Sequence, residues 1–504
     1  MRYLTDGSQM KAIDSYNIEE LGIPSLALME RAAYAVSAEA EQMSSQNGSV
    51  LVICGMGNNG ADGLAVARML KLHGRRVKVL LCGKASHSTK EHSVQLAIIE
   101  KLGIPAVTAD SGQEYSIENG FELIVDALFG VGLSRPLNET FIELVNAIER
   151  ARISGAKVLA VDIPSGVGAS DGQILGAAVK ADATVTFGFE KLGMLLYPGA
   201  FYCGKKKVAD IGFSLPDGME SRMAYTFGPD DLRRLPNRPA DGNKGTFGKV
   251  LLAAGSKNMS GAAYMSALAS YRSGAGLVQI YTVKENVPVL KAMLPEAIVT
   301  GFDREHPDME ELADLCRWAD VLVAGPGFST ETYAEQILHW LLKHSALPKV
   351  LDADALNLIA RRGELAGFLD GSAVITPHIG EMSRLTGETV DEIKRAPIAA
   401  ALRFRKQYGA VCVLKDARTT VVSENGVYIN SSGNSGMATG GSGDVLSGIL
   451  GGLLAAGMNA GDAAEMGVCL HGLAGDAAAE RYGTRAMMAT DIISCLGAVL
   501  KEWT

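Results

Sequence analysis

Short apolar runs of strand length alternate with helix-length segments along almost the whole chain, and the alternation breaks once and restarts. In the first stretch, strands are predicted at Val50–Cys54, Val77–Leu81, Leu123–Asp126 and Val158–Val161, with two more near Thr184–Phe187 and Lys207–Ile211. Helices at Asp62–His73, Glu91–Leu102 and Glu139–Ala151 fall between them. Apolar strands separated by helices imply parallel pairing through crossover connections, because a tight turn cannot deliver a parallel neighbour. The pattern pauses at Ser214-Leu215-Pro216-Asp217-Gly218 and in the polar, proline-bearing stretch from Arg233 to Gly245. It resumes with strands at Lys249–Ala254, Leu277–Thr282, Val321–Ala324, Val350–Asp352, Ala373–Thr376 and Val411–Leu414. A hairpin of Thr419–Ser423 with Gly426–Asn430 around Glu424-Asn425 follows. The expected class is α/β: a Rossmann-like three-layer α/β/α domain over residues 1–222 and a second α/β/α domain over 223–504. No repeat period relates the halves, so two different domains are fused.

Composition narrows the partners. A net charge of −9 and a single basic run, Lys205-Lys206-Lys207, argue against nucleic acid, whose phosphates require clustered Lys and Arg. Seven scattered cysteines without a C-x-x-C pair read as reduced core residues of a cytoplasmic protein. Met1-Arg2-Tyr3-Leu4-Thr5-Asp6 does not open an apolar signal segment. The longest uncharged run, Val445 to Gly461, is rich in Gly and too short for a membrane span, so a buried core helix is expected there.

Two glycine-rich turns carry the chemistry. The first, Gly55-Met56-Gly57-Asn58-Asn59-Gly60-Ala61-Asp62-Gly63, follows the first strand. Its Gly-x-Gly-x-x-Gly spacing matches a dinucleotide fingerprint, but the second strand ends in Cys82-Gly83-Lys84, without the acidic residue that would hold a ribose. Hydride transfer is therefore disfavoured. Two later strands end in Asp126 and Asp162, and strand ends in an open parallel sheet line one crevice. Each Asp alone could simply cap the next helix. Together with Asn59 they favour a site whose oxygen ligands suit a hard cation. The segment Gly199 to Lys205 resembles a P-loop, but Lys206 stands where Ser or Thr must hold magnesium, so that match is accidental.

This half resembles the N-terminal epimerase domain of the bifunctional NAD(P)H-hydrate repair enzyme family. The likeness rests on the Gly-x-Gly-Asn-Asn-Gly-x-Asp-Gly loop, the segment Asp126-Ala127-Leu128-Phe129-Gly130-Val131-Gly132 and the turn Val161-Asp162-Ile163-Pro164-Ser165-Gly166. It spans about residues 1–215 and includes Leu28-Met29-Glu30-Arg31-Ala32. The resemblance implies that Asn58, Asn59, Gly60, Ala61 and Asp62, with Gly130, Val131, Gly132, Leu133, Ser134, Arg135 and Pro136, hold a hydrated nicotinamide cofactor. It further implies potassium on Asn59, Asp126 and Ser165, and a role for Asp162 at the reacting carbon.

The second turn, Gly436-Met437-Ala438-Thr439-Gly440-Gly441-Ser442-Gly443-Asp444, opens the last uncharged helix. Backbone N–H groups at Gly441 to Gly443 and the helix dipole would stabilise charge on a transferring phosphoryl group, and Asp444 would accept the proton of the attacking hydroxyl. Taken alone, Asp444 could instead be a helix cap. Gly325-Pro326-Gly327, Asp352-Ala353-Asp354-Ala355-Leu356-Asn357 and Thr376-Pro377-His378-Ile379-Gly380-Glu381 each follow a predicted strand, whereas His471 reads as structural.

This half resembles the ribokinase-like superfamily, and within it the ADP/ATP-dependent NAD(P)H-hydrate dehydratases, from about Asn243 to Ile492. The resemblance implies nucleotide binding by Lys415, Asp416, Ala417, Arg418 and Thr419, and by Asn434, Ser435, Gly436, Met437, Ala438, Thr439, Gly440, Gly441, Ser442 and Gly443. It places the hydrated nicotinamide on Ala263, Gly327, His378, Ile379, Gly380, Glu381, Met382, Ser383, Arg384 and Asp444. Asp416 departs from the glycine usual after that lysine.

The expected function is repair of NADHX and NADPHX: epimerisation of their R and S forms, then dehydration of the S form with ADP and Mg2+ to give AMP and phosphate. A homo-oligomer in the cytoplasm, with no membrane and no nucleic-acid partner, is expected. The alternative is a small-molecule kinase of the vitamin or sugar type fused to a catalytically inactive ligand-binding or interaction domain. Accumulation of a stable phosphorylated product would mark that alternative.

Overall fold

A computed structural model describes residues 1–109, 117 and 120–501. The chain divides into two compact units, one of residues 3–224 and one of residues 1–2 with 225–504.

The first unit is built on a seven-stranded, wholly parallel sheet. Its spatial order is Ala106–Ala109, Arg76–Cys82, Ser49–Cys54, Leu123–Ala127, Lys157–Val161, Ala183–Phe187 and Lys205–Ala209. The chain enters at Ser49–Cys54, works outward to one edge, then returns to fill the other side from Leu123–Ala127. That reversal is a topological switch point, where adjacent crossovers leave on opposite faces and open a crevice at the strand C-termini. One face packs on the helices Ser25–Met43 and Asn58–Leu72 through Val36, Ala40, Val52 and Leu64, and the other on Glu139–Ile153 through Ile53, Ile124, Leu144 and Ile148. This is the expected three-layer arrangement. A short strand near the N-terminus pairs Leu4 and Thr5 in parallel with Glu190 and Lys191.

The second unit repeats the same order of parallel strands and adds an antiparallel extension. Seven parallel strands run in the order Ile298–Phe302, Leu277–Val283, Lys249–Ala253, Val321–Ala324, Lys349–Leu351, Ala373–Ile375 and Val411–Leu414. Thr420–Ser423 and Gly426–Ile429 extend the sheet as an antiparallel hairpin whose closing pair is Ser423 with Gly426, around the expected Glu424-Asn425 turn. Here the switch point lies beside Lys249–Ala253, and Gly255 N–H donates to the Pro326 carbonyl across it at 2.9 Å.

The uncharged run from Val445 folds as the helix Ser442–Ala455, buried along most of its length. It stops before Gly461 because Gly457 turns into the left-handed region (φ 93°). A Cβ at Gly448 would overlap the Ser266 carbonyl oxygen, and one at Gly452 the Ser273 hydroxyl, so the helix lies directly on the backbone of the helix Ser260–Arg272. No described helix is long and apolar enough to cross a membrane. All seven cysteines are free thiols. The P-loop-like segment forms a 3-10 turn, Gly199–Tyr202, leading into the strand Lys205–Ala209, in which Lys206 pairs with Glu190.

Candidate active sites

The helix after the first strand starts at Asn58, earlier than the expected Asp62, with Gly57 at the N-cap position in extended conformation. The turn closes so tightly that a Cβ at Gly60 would overlap the Gly55 carbonyl, and a Cβ at Gly55 the Leu128 carbonyl. Asn58, Asn59 and Gly60 therefore fill the start of a helix, where N–H groups have no intrahelical acceptor and suit an anion, and Ala61 N makes the first helical bond, to the Gly57 carbonyl at 3.1 Å.

Asn59 lies against Gly130, where a Cβ would come within 3.3 Å of its Oδ1. Its Nδ2 is buried without a hydrogen-bond partner. Asp126, fully buried, accepts from Ser165 Oγ at 2.6 Å and Leu128 N at 3.3 Å on Oδ1, and from Ser165 N at 2.8 Å on Oδ2. Burial pushes this carboxyl up to about 6 although all three bonds favour the ionised form. The desolvated Asp126 carboxylate, the Ser165 hydroxyl and the Asn59 Oδ1 form a set of oxygens, while the unpaired Asn59 Nδ2 is left as a donor. No cluster of three His, Cys, Asp or Glu suited to a metal occurs among the described residues. Such a donor set fits a monovalent cation better than a divalent one. Gly130 thus joins the site directly, while Gly132, Ser134, Arg135 and Pro136 form an exposed rim, with Val131 and Leu133 partly covered beneath it.

Asp162 ends its strand in the left-handed region (φ 67°), which Asp tolerates better than most residues. Three donors converge on its Oδ1: Thr186 Oγ1 at 3.1 Å, Phe187 N at 3.1 Å and Lys191 Nζ at 2.5 Å. Lys191 is fully buried. Burial first, then Asp162 and Asp14, hold the half-buried Asp62 carboxyl well above the usual range. Asp14 is raised likewise by burial, Asp162 and Glu91. The crevice thus carries one ionic pair among carboxyls that resist ionisation.

In the second unit, Gly441 (φ 94°) is the N-cap of Ser442–Ala455, and Asp444 is the third helical residue, so it does not cap the helix. Burial, then Asp352, pushes the Asp444 carboxyl up to about 7, against the pull of Lys415. Asp352 is fully buried; its Oδ1 accepts from Lys415 Nζ at 2.7 Å and its Oδ2 from Ser447 Oγ at 2.7 Å. Burial opposes its ionisation, yet Lys415 with Thr376 and Ser447 holds it below the usual carboxylate range. Gly443 leaves room for the lysine, whose Nζ would lie 3.3 Å from a Cβ there.

His378 and Lys415 sit side by side on adjacent strand ends, joined by a β-bridge. His378 caps the helix Ile379–Thr386: its Nδ1 accepts from Gly380 N at 2.9 Å, and Glu381 Oε2 accepts from His378 N at 2.8 Å. Burial and the Lys415 and Arg384 charges lower its pKa, keeping the ring neutral. Ser383 and Met382 face that helix's own packing, while Arg384 donates to Asn357 Oδ1 at 3.0 Å. The turn Asp416 to Thr419 is open to solvent at Asp416 and Ala417. The loop from Asn434 is clamped by Asp476, which accepts from Gly433 N at 2.8 Å and Asn434 Nδ2 at 2.9 Å. Gly327 (φ 57°) packs on Ala262 and Met259 at the switch point, and Ala263 is fully buried beneath Gly255. His471, buried and lowered to about 4 by burial and Lys415, reaches Ser442 Oγ at 3.4 Å and supports the helix start from below.

Lys191 and Asp352 had no role assigned from sequence. For Asp352 a signal existed, since it ends a strand as Asp126 and Asp162 nearly do. For Lys191 there was none, because nothing in Phe189-Glu190-Lys191-Leu192 marks its lysine as buried.

Two parallel α/β units, each with a glycine turn and a carboxylate at its switch-point crevice, define an enzyme with two separate sites for anionic, nucleotide-like molecules. Two family models match the chain: one described as YjeF-related protein N-terminus over residues 25–193, the other as NAD(P)H-hydrate dehydratase over residues 250–497. A bifunctional NAD(P)H-hydrate repair enzyme of Thermofilum pendens is 37% identical over 507 residues, covering 98% of this chain and 95% of that protein. Its counterpart in Escherichia coli is 37% identical over 454 residues, covering 89% and 84%. The crystal structure of a ribokinase-like superfamily protein from Enterococcus faecalis covers 56% of this chain and 96% of its own, at 31% identity and a TM-score of 0.51. The chain belongs to the family of bifunctional NAD(P)H-hydrate repair enzymes, with an epimerase domain followed by a ribokinase-like dehydratase domain.

Proposed function

We propose that residues 1–222 interconvert the R and S forms of NADHX and NADPHX, and that residues 223–504 dehydrate the S form with ADP. The observation that carries the second half is Asp444 in the first turn of Ser442–Ala455, beside Lys415, with a carboxyl near pKa 7. A base so placed takes the proton of the ring hydroxyl as that oxygen attacks the terminal phosphoryl group of ADP, and AMP leaves. The N–H groups of Gly441 to Gly443 and the ammonium of Lys415 receive the charge that develops on the phosphoryl oxygens. The carbon–oxygen bond then breaks, its electron pair leaving with phosphate while the ring nitrogen supplies its own pair. Loss of a proton from the neighbouring carbon restores the ring double bond. Mg2+ carried on the ADP phosphates would neutralise charge. Asp416 is exposed, so its extra carboxylate is screened by solvent and compatible with nucleotide binding.

In the first unit, Asp162 takes the proton of the hydroxyl on the carbon beside the ring nitrogen. The carbon–nitrogen bond opens with its electron pair moving to nitrogen, the carbonyl end turns, and the nitrogen pair recloses the ring on the other face as Asp162 returns the proton to the oxygen. Asn59, Asp126 and Ser165 would hold potassium, which supplies the positive charge that the buried Asp126 lacks and keeps the loops after two strands together. Seven free cysteines support a reducing, cytoplasmic setting. The acidic balance supports small-molecule rather than nucleic-acid partners, and a homo-oligomer is proposed.

The test supplies mixed hydrated NADH with ADP, Mg2+ and potassium, and follows the dihydronicotinamide absorbance. Full recovery with AMP and phosphate released supports both activities. Recovery of only the S fraction removes the epimerase assignment, and accumulation of a phosphorylated product removes the dehydratase.

A further inference from the structure

Lys191 is among the largest side chains in the protein with no solvent exposure, and its charge needs a reason. An ammonium in the core is costly unless every proton is bonded and a counter-charge is close. Both conditions hold. Lys191 Nζ donates to Asp162 Oδ1 at 2.5 Å, Thr186 Oγ1 at 2.8 Å and the Phe187 carbonyl at 3.1 Å. Those three bonds use all its protons, so the group holds charge and has no proton to pass on. Its backbone is fixed by the parallel pairing of Thr5 with Lys191, and its neighbour Glu190 is already taken by Lys206.

The effect falls on one carboxylate oxygen. Lys191, Thr186 and Phe187 all address Asp162 Oδ1, and among the described residues no donor reaches Oδ2. Two other carboxyls feel the Asp162 charge through space and are raised in part by it: Asp62 at the start of the helix Asn58–Leu72, and Asp14 on the helix Gly7–Ser15. A carboxylate at the floor of such a crevice needs a counter-charge held in place. Lys191 supplies it.

We propose that Lys191 is a positioning residue of the epimerase: it pins Asp162 Oδ1 and gives the carboxylate its buried counter-charge, leaving Oδ2 as the oxygen that takes the substrate's hydroxyl proton. This rests on the assignment of Asp162 as the base, and the experiment separates the two.

The full chain is assayed on mixed hydrated NADH with ADP, where the S form is consumed first and the R form only as fast as it epimerises. In Lys191→Met, the first phase is expected at the wild-type rate, reporting an intact second domain. The second phase should slow by about 10²-fold at pH 7, with KM little changed, and recover as pH rises and Asp162 ionises unaided. Loss confined to KM, or a second phase at the wild-type rate, overturns the proposal. A loss equal at every pH also overturns it. Should Lys191→Met fail to fold, the double variant Asp162→Asn/Lys191→Met removes both charges together, which buried pairs tolerate better than loss of one. A residue that acts only through Asp162 predicts equal rates for this variant and Asp162→Asn alone, and a further tenfold loss in the double variant refutes it. A wild-type second phase in Asp162→Asn itself would instead remove the base assignment.

Discussion

Asn in place of Asp444 separates catalysis from folding. Gly441, not Asp444, occupies the cap position, and among the described residues the Asp444 carboxylate accepts no hydrogen bond. The native contributions at risk are the attraction of the carboxylate to Lys415 and to a helix N-terminus, the latter about 0.3–1 kcal/mol. An opposing effect is larger. Burial and the Asp352 charge raise the folded carboxyl from its ordinary 3.8 to about 7. A group raised in this way favours the folded state below its unfolded pKa and loses that contribution as pH rises through 7. By pH 8 the ionised carboxylate therefore strains the fold. A shift of about three units corresponds to about 4 kcal/mol for a fully desolvated group. Partial exposure cuts this to about 1 kcal/mol. Asn never ionises, so Asp444→Asn should match or exceed the wild type in stability at pH 8, by up to about 2–4 °C in melting temperature. Dehydration should nonetheless fall about 10²–10⁴-fold. Nucleotide should still bind, and the R and S forms should equilibrate without either being consumed, as chromatography of the two epimers would show. Dehydration within a few-fold of wild type would refute the assignment. A drop of several degrees in melting temperature alongside lost activity would refute the separation of roles.

The same carboxyl predicts that kcat/KM for dehydration falls about tenfold per unit below pH 7, since only ionised Asp444 can take the proton; a flat profile from pH 5 to 7 contradicts it. Asp126→Ala should slow epimerisation, abolish its dependence on potassium and leave dehydration of the S form unchanged. Equal loss of both activities would count against two independent sites. Gly60→Ala places a methyl group on the Gly55 carbonyl and should cost about 1–3 kcal/mol in chemical unfolding of the first unit, with epimerisation lost. Wild-type stability in that variant would mean the loop is looser than described.

The strands that sequence made visible are those buried on both faces. Val321–Ala324 and Val411–Leu414 stand at the expected bounds because every residue in them is buried, leaving a clean apolar run. Ala106–Ala109 and Ile298–Phe302 escaped notice because they are sheet edges, the first largely exposed and the second mostly half-buried, and need no such run. The glycine turns showed where backbone approaches backbone, though the helix start at Asn58 was hidden: Asn-Asn-Gly is a poor helical sequence that tertiary contacts override. Asp126, Asp162 and Asp444 were legible as polar residues ending apolar strands or opening a helix. Their partners were not. Lys191 and Asp352 act through contacts with residues 29 and 63 positions away, a pairing fixed only when neighbouring strands align.

The seam between Ser442–Ala455 and Ser260–Arg272 sets how the phosphate-facing turn can evolve. At Gly448 the Ser266 carbonyl, and at Gly452 the Ser273 hydroxyl, lie where a Cβ would go, so only the small side chains of Ser266, Ala269, Ser270 and Ser273 fit between the two segments. Core substitutions that tune most binding loops, by tilting the element behind them, have no purchase here. Adaptation to a new phosphate donor is therefore confined to the rim, at Asp416 to Thr419 and the loop from Asn434, where solvent leaves side chains free to vary.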